Sequence, residues 1–172
     1  MTDAIDAVIE QWRRERPDVD IWPMSTLGRI VRLSRILERE YRKFFAEHGL
    51  ESWEFDVLTT LRRSGEPNGL TANALLRAAL VTSGAITHRI DRMEEKGLVE
   101  RVPDPSDRRS VRIRLTPHGR EIVDGLLSLH LAYAARMLQP LDPEAREQLA
   151  SALRTLLESF GDTSLQPITD LD

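Results

Sequence analysis

Apolar residues recur at spacings of three and four along most of this chain, and in one short region they alternate instead. The first periodic segment, residues 3–16, predicts a short charged helix holding Trp12. Residues 17–23 interrupt it, bounded by Pro17 and Pro23 with Trp22 between them. From Ser25 to His48 the stripe Leu27, Ile30, Val31, Leu37, Tyr41, Phe44 and Phe45 predicts a long amphipathic helix that ends at Gly49. Ser52 is the expected N-cap of a helix through Arg63, and Ser64 to Gly69 is a turn cluster. Thr71 opens a short helix to about Ala79. Thr82 or Ser83 opens the next, which stops at Gly97.

The alternating region follows. Leu98–Val102 and Ser110–Leu115 read as strands around a turn-rich loop, Pro103-Asp104-Pro105-Ser106-Asp107. In the second strand Val111, Ile113 and Leu115 alternate with Arg112 and Arg114, which predicts one buried face and one basic face. Thr116-Pro117 and Asp142-Pro143 each place an N-cap before a proline at the first helical position. They open helices to about Leu138 and Phe160, and the tail 161–172 is expected to be flexible. The fold class is therefore mainly α with a small β component: a winged helix-turn-helix flanked by N- and C-terminal dimerisation helices. The expected divisions are 1–48 (an extra helix and a dimerisation helix), 49–116 (the winged lobe) and 117–160 (C-terminal dimerisation helices). A symmetric homodimer is the expected way to bury the leucine-rich stripes of the terminal helices.

Composition narrows the chemistry. With 172 residues the chain can fill one core, and with no cysteine it has no disulfide, thiolate zinc site or cysteine nucleophile. The first ten residues carry acids where a signal peptide needs bases, and the apolar stretch Ala74–Ile86 is broken by Arg77 and too short to span a bilayer. A cytoplasmic protein without a membrane segment is expected. His48, His88, His118 and His130 lack paired ligand spacing, so neither a metal nor a cofactor is expected. No catalytic arrangement is present either, and the chain reads as a non-enzyme. The net charge of −4 conceals an uneven distribution. Residues 101–114 hold five arginines and two acids, so the remainder carries −7. A local basic patch on an acidic body suits duplex DNA.

In the helix before the hairpin, Ile86, Ile90 and Met93 fall in one sector and His88, Asp91 and Glu95 lie opposite. The small turn Ser83-Gly84-Ala85 lets backbone approach closely. Ser83, Gly84, Thr87 and His88 are the expected major-groove residues, with Arg108, Arg109 and Ser110 on the loop. Arg89 sits at the margin of the apolar sector, where a charge needs a partner.

These residues resemble the MarR family of bacterial transcription regulators. Asp104-Pro105-Ser106-Asp107-Arg108-Arg109 followed by Leu115-Thr116-Pro117-His118-Gly119 is similar to the family's wing, and Ser83 to Glu94 to its recognition helix. The resemblance runs from about residue 25 to 160. It implies a dimeric winged-helix repressor on a pseudo-palindromic operator. It also implies that Asp107 braces the wing through Arg109 while Arg108 or Arg109 enters the minor groove, which favours arginine where it is narrow.

A finer resemblance points to the urate-responsive branch, which has an extra N-terminal helix. Trp12, Asp56, Arg89 and Arg101 would then hold a small anionic aromatic ligand such as urate, with Trp22 competing for the place of Trp12. Three other readings stand beside it. One is a phenolic or aromatic-acid effector. Another is an Asp56–Arg89 ion pair with no ligand. The third is a winged helix that binds protein rather than DNA.

Overall fold

Several helix starts among the described residues are set by side chains that replace missing backbone partners. In the computed structural model, described for residues 2–78, 86–105 and 110–164, α1 spans Ala4–Glu15. Asp3 accepts from the N–H groups of Ile5 and Asp6 at 2.8 and 3.0 Å, and Asp6 accepts from the N–H of Asp3 at 2.8 Å. α2 spans Trp22–Glu47, three residues earlier than the apolar stripe predicts, because Pro23 is tolerated in a first turn, whose N–H groups have no helical partner. Arg29 of α2 reaches back to Asp3 at 2.8 Å and Asp6 at 2.6 Å, tying the two helices together.

The chain divides into two compact units, with the break between Gly49 and Leu50. In the first unit Ile9, Phe44 and Phe45 are buried, while Leu27, Val31 and Ile36 along α2 stay exposed.

The second unit begins with α3 (Ser52–Ser64). Its N-cap is Glu51, not Ser52: Glu51 holds extended backbone, and its N–H donates to Glu54 Oε2 at 2.9 Å. A two-residue strand, β1 (Leu70–Thr71), leads into α4 (Ala72–Ala78). Thr71 serves both, since its hydroxyl accepts from the N–H of Ala74 at 3.2 Å. α5 (Ile86–Glu95), β2 (Val99–Pro103), β3 (Val111–Leu115), α6 (Pro117–Met137) and α7 (Pro143–Ser159) follow. Thr116 and Asp142 cap the last two helices, each ahead of its proline.

The sheet is antiparallel in the order β1-β3-β2, with Leu70 opposite Ile113 and Glu100 opposite Arg114. Gly69 makes the β1 approach possible. It holds φ +75°, and a Cβ there would lie 2.1 Å from the carbonyl oxygen of Ile113. The core gathers Val57, Leu58, Leu75, Ile90, Met93, Val99 and Val123, so α5 packs its apolar stripe inward as expected. Helix α7 buries none of its residues, and Leu149, Leu153, Leu156 and Leu157 are all exposed. No helix among the described residues is long and apolar enough to cross a membrane.

Candidate nucleic-acid interface

Four stripes run along α5, and each meets something different. Ile86, Ile90 and Met93 enter the core. Arg89, Arg92 and Lys96, spaced three and four apart, turn toward the first turn of α3. The Arg89 and Arg92 guanidinium carbons lie 5.3 and 5.5 Å from the Trp53 ring centroid. Arg92 also donates to Glu51, and Trp53 donates its indole N–H to the same carboxylate at 2.7 Å. These two donors hold the Glu51 carboxyl below the usual carboxylate range. Lys96 donates to Glu54 Oε2 at 2.8 Å, and Glu54 is completely buried. On the other flank Arg101 of β2 donates to Asp91 at 2.7 Å and to Glu94, while its backbone N–H donates to Glu94 at 2.9 Å. The fourth side, carrying His88, faces solvent, and Thr87 is exposed beside it.

The hairpin stem departs from the basic face predicted by alternation. Arg112 donates to the buried Asp104 at 2.7 Å and to the carbonyl of Gly69 at 3.0 Å. Arg114 donates to Glu100 at 2.8 Å, directly across the strands. Arg101, Arg112 and Arg114 therefore each meet a carboxylate. Val111, expected on the buried face, is 48% exposed at the edge of the stem. The stem closes where the N–H of Asp104 donates to the carbonyl of Ser110 at 3.0 Å, placing half-buried Ser110 at the root of the loop.

Of the expected DNA-facing residues, Thr87, His88 and Ser110 are placed as above. Ser83, Gly84, Arg108 and Arg109 lie outside the described residues, as does Asp107. Of the expected ligand residues, Trp12 belongs to the first unit, on α1 and 45% exposed, and Trp22 is 70% exposed at the start of α2. Asp56, Arg89 and Arg101 belong to the second unit, where no ion pair joins them. Asp56 is half-buried without an ion-pair partner among the described residues, and burial pushes its carboxyl up. Arg89 rests on Trp53, and Arg101 is held by Asp91 and Glu94. The Asp56–Arg89 ion pair left open by the sequence does not form. Trp53 and Glu51 were not singled out from sequence. Their only signal is an acid and an aromatic residue two apart at a helix start, which means nothing until α5 lies alongside.

Residues 48–110 match the MarR family model. The chain is 34% identical over 149 residues to the HTH-type transcriptional regulator PecS of Dickeya dadantii, covering 87% of this chain and 90% of that protein. The chain belongs to the MarR family. It is thus a DNA-binding transcriptional regulator of the MarR type and not an enzyme. A second MarR-family relative is the multiple antibiotic resistance protein MarR of Salmonella typhimurium, 31% identical over 99 residues, or 57% of this chain and 67% of that protein. Among solved structures of the family, AbsC from Streptomyces coelicolor superposes with a TM-score of 0.72 at 25% identity, covering 84% of this chain and 98% of that one. A mutant MarR from E. coli complexed with operator DNA superposes with a TM-score of 0.68 at 25% identity, over 81% of this chain and 99% of that one. The mostly helical chain with a small antiparallel sheet is the MarR winged-helix fold.

Proposed function

We propose that this MarR-family protein is a homodimeric, ligand-responsive repressor that holds a pseudo-palindromic operator in duplex DNA, in the cytoplasm, and releases it when urate or a related purine binds. The observation that carries the reading is the exposed side of α5, with Thr87 and His88, standing beside a β2–β3 hairpin in the fold of a MarR protein complexed with operator DNA. Ser83, Gly84, Thr87 and His88 read the major groove. Arg108 and Arg109, with Ser110, reach from the wing tip. The winged lobe is 49–116, and the helices within 1–48 and 117–160 form the dimer. The exposed leucines of α7 and the exposed Leu27, Val31 and Ile36 of α2 support that assignment.

The ligand part rests on chemistry. Among the described residues no cation pairs with the half-buried Asp56 carboxyl, and guanidinium groups at Arg89 and Arg101 stand on the two flanks of α5, one over Trp53 and one held by Asp91 and Glu94. An anionic planar ring needs such donors and an aromatic wall, which Trp12 supplies in this reading. Binding at Arg101 competes with Asp91 and Glu94 and so loosens the hold of β2 on α5.

The test is a titration of a duplex carrying the protein's own promoter region, followed by fluorescence anisotropy, with light scattering for the dimer. Arg109→Ala weakens binding about tenfold or more without lowering the melting temperature. Urate, xanthine or hypoxanthine raises the melting temperature and releases the DNA. No binding at low salt sinks the DNA reading. Stabilisation by aromatic acids but not purines moves the effector to the phenolic class.

A further inference from the structure

Two clasps of opposite charge grip α5 on opposite flanks. The basic stripe Arg89, Arg92 and Lys96 meets Glu51, Trp53 and Glu54 on α3, and the acidic pair Asp91 and Glu94 meets Arg101 on β2. The apolar stripe alone fixes which side of α5 faces the core, but a stripe of three residues tolerates rolling. Charges on both flanks do not tolerate it. Turning the helix by one position breaks the pairs on both sides at once.

We propose that Glu51 and Trp53 are positioning residues that set the roll of the recognition helix, and so decide which side chains meet the bases. The proposal rests on the reading of α5 as the DNA-facing helix. Glu51 is suited to the task because one carboxylate serves two partners. It fixes the indole ring through its N–H and takes Arg92 directly, so that both guanidinium groups lie over one oriented ring. Both members of the Glu51–Arg92 pair are more than two-fifths exposed. Exposed pairs contribute little to global stability. What this one supplies is direction: Glu51 caps α3, and the packing of α3 on α6 anchors the bracket to the core.

The readouts separate positioning from folding. In the full chain, Trp53→Leu is expected to accelerate amide hydrogen exchange across residues 87–95 while moving the melting temperature little. It is also expected to reduce the preference for own-promoter over unrelated duplex about tenfold, or about 1.4 kcal/mol of discrimination. Trp53→Phe keeps a ring face and restores the preference to within about threefold of the parent. Glu51→Gln, which keeps an acceptor oxygen but loses the charge, falls between them. Unchanged exchange in α5 with Trp53→Leu overturns the proposal, whatever the DNA does. Faster exchange with an unchanged preference overturns it as well. Failure of the parent protein to bind any duplex strikes the DNA reading instead, and the exchange measurement still decides whether the bracket holds the helix.

Discussion

The contact between Lys96 and Glu54 offers the most demanding test of how α5 is held. Glu54 has no solvent exposure, while the Lys96 side chain is 38% exposed. Glu54 Oε2 accepts from the N–H of Glu51 at 2.9 Å and from Lys96 at 2.8 Å, and Oε1 lies 2.7 Å from Nζ in a charge contact outside hydrogen-bond geometry. Lys96→Met leaves a buried carboxylate with one backbone donor and no cation. Stranding a fully buried charge costs about 3–5 kcal/mol. Here the ammonium side is open to water, so the loss should be nearer about 2 kcal/mol, or roughly 4–8 °C in melting temperature for a chain of this size. Glu54→Gln keeps the backbone bond and should cost about 1 kcal/mol. The double variant should be no worse than Lys96→Met alone, giving a coupling of about 1 kcal/mol or more between the sites. Urea unfolding at fixed protomer concentration measures all three. Costs that simply add would show that the buried carboxylate does not depend on Lys96, and the reasoning would fail.

Two further outcomes follow from the same geometry. Gly119→Ala would put a Cβ 1.9 Å from the carbonyl oxygen of Leu98, which already accepts from the N–H and hydroxyl of Thr116. The backbone has nowhere to go, so a loss of about 3 kcal/mol is expected in thermal unfolding, and a parent-like melting curve would contradict the packing. Asp56→Asn tests the carboxyl that has no ion-pair partner among the described residues. Its raised pKa means that ionisation opposes folding. The cost is absent below the ordinary range, develops as pH rises through it toward the raised folded value, and is complete above. Asp56→Asn should therefore raise the melting temperature at pH 7 and leave it unchanged near pH 3, while removing any response to urate. An equal gap at both values rules out the titration argument.

Sequence carried the helices well because their starts are local. Thr116-Pro117 and Asp142-Pro143 name their own caps, and the stripe Ile86, Ile90 and Met93 names its own buried side. Strand β1 escaped because two residues cannot show alternation, and Thr71 was already accounted for as a cap. The basic face of β3 was misjudged for a different reason. Arg112 and Arg114 do alternate with apolar residues, but whether they face carboxylates depends on hairpin register, which the turn-rich loop leaves undetermined. The register sets Glu100 against Arg114, and the loop start brings Asp104 to Arg112. The Trp53 bracket was invisible because its partners lie about forty residues downstream and meet only through tertiary packing.

The paired arginines of the hairpin stem bear on ionic strength. Each phosphate neutralised by a free cation sheds condensed counterions, and affinity then falls with salt by a slope of about 0.9 per contact on duplex DNA. Arg101, Arg112 and Arg114 already have carboxylate partners, so handing one of them to a phosphate releases a protein anion and returns much of that gain. Counting arginines between residues 101 and 114 thus overstates the electrolyte sensitivity of this wing. The stem arginines are largely offset by neighbouring carboxylates, and the salt response should belong to the tip.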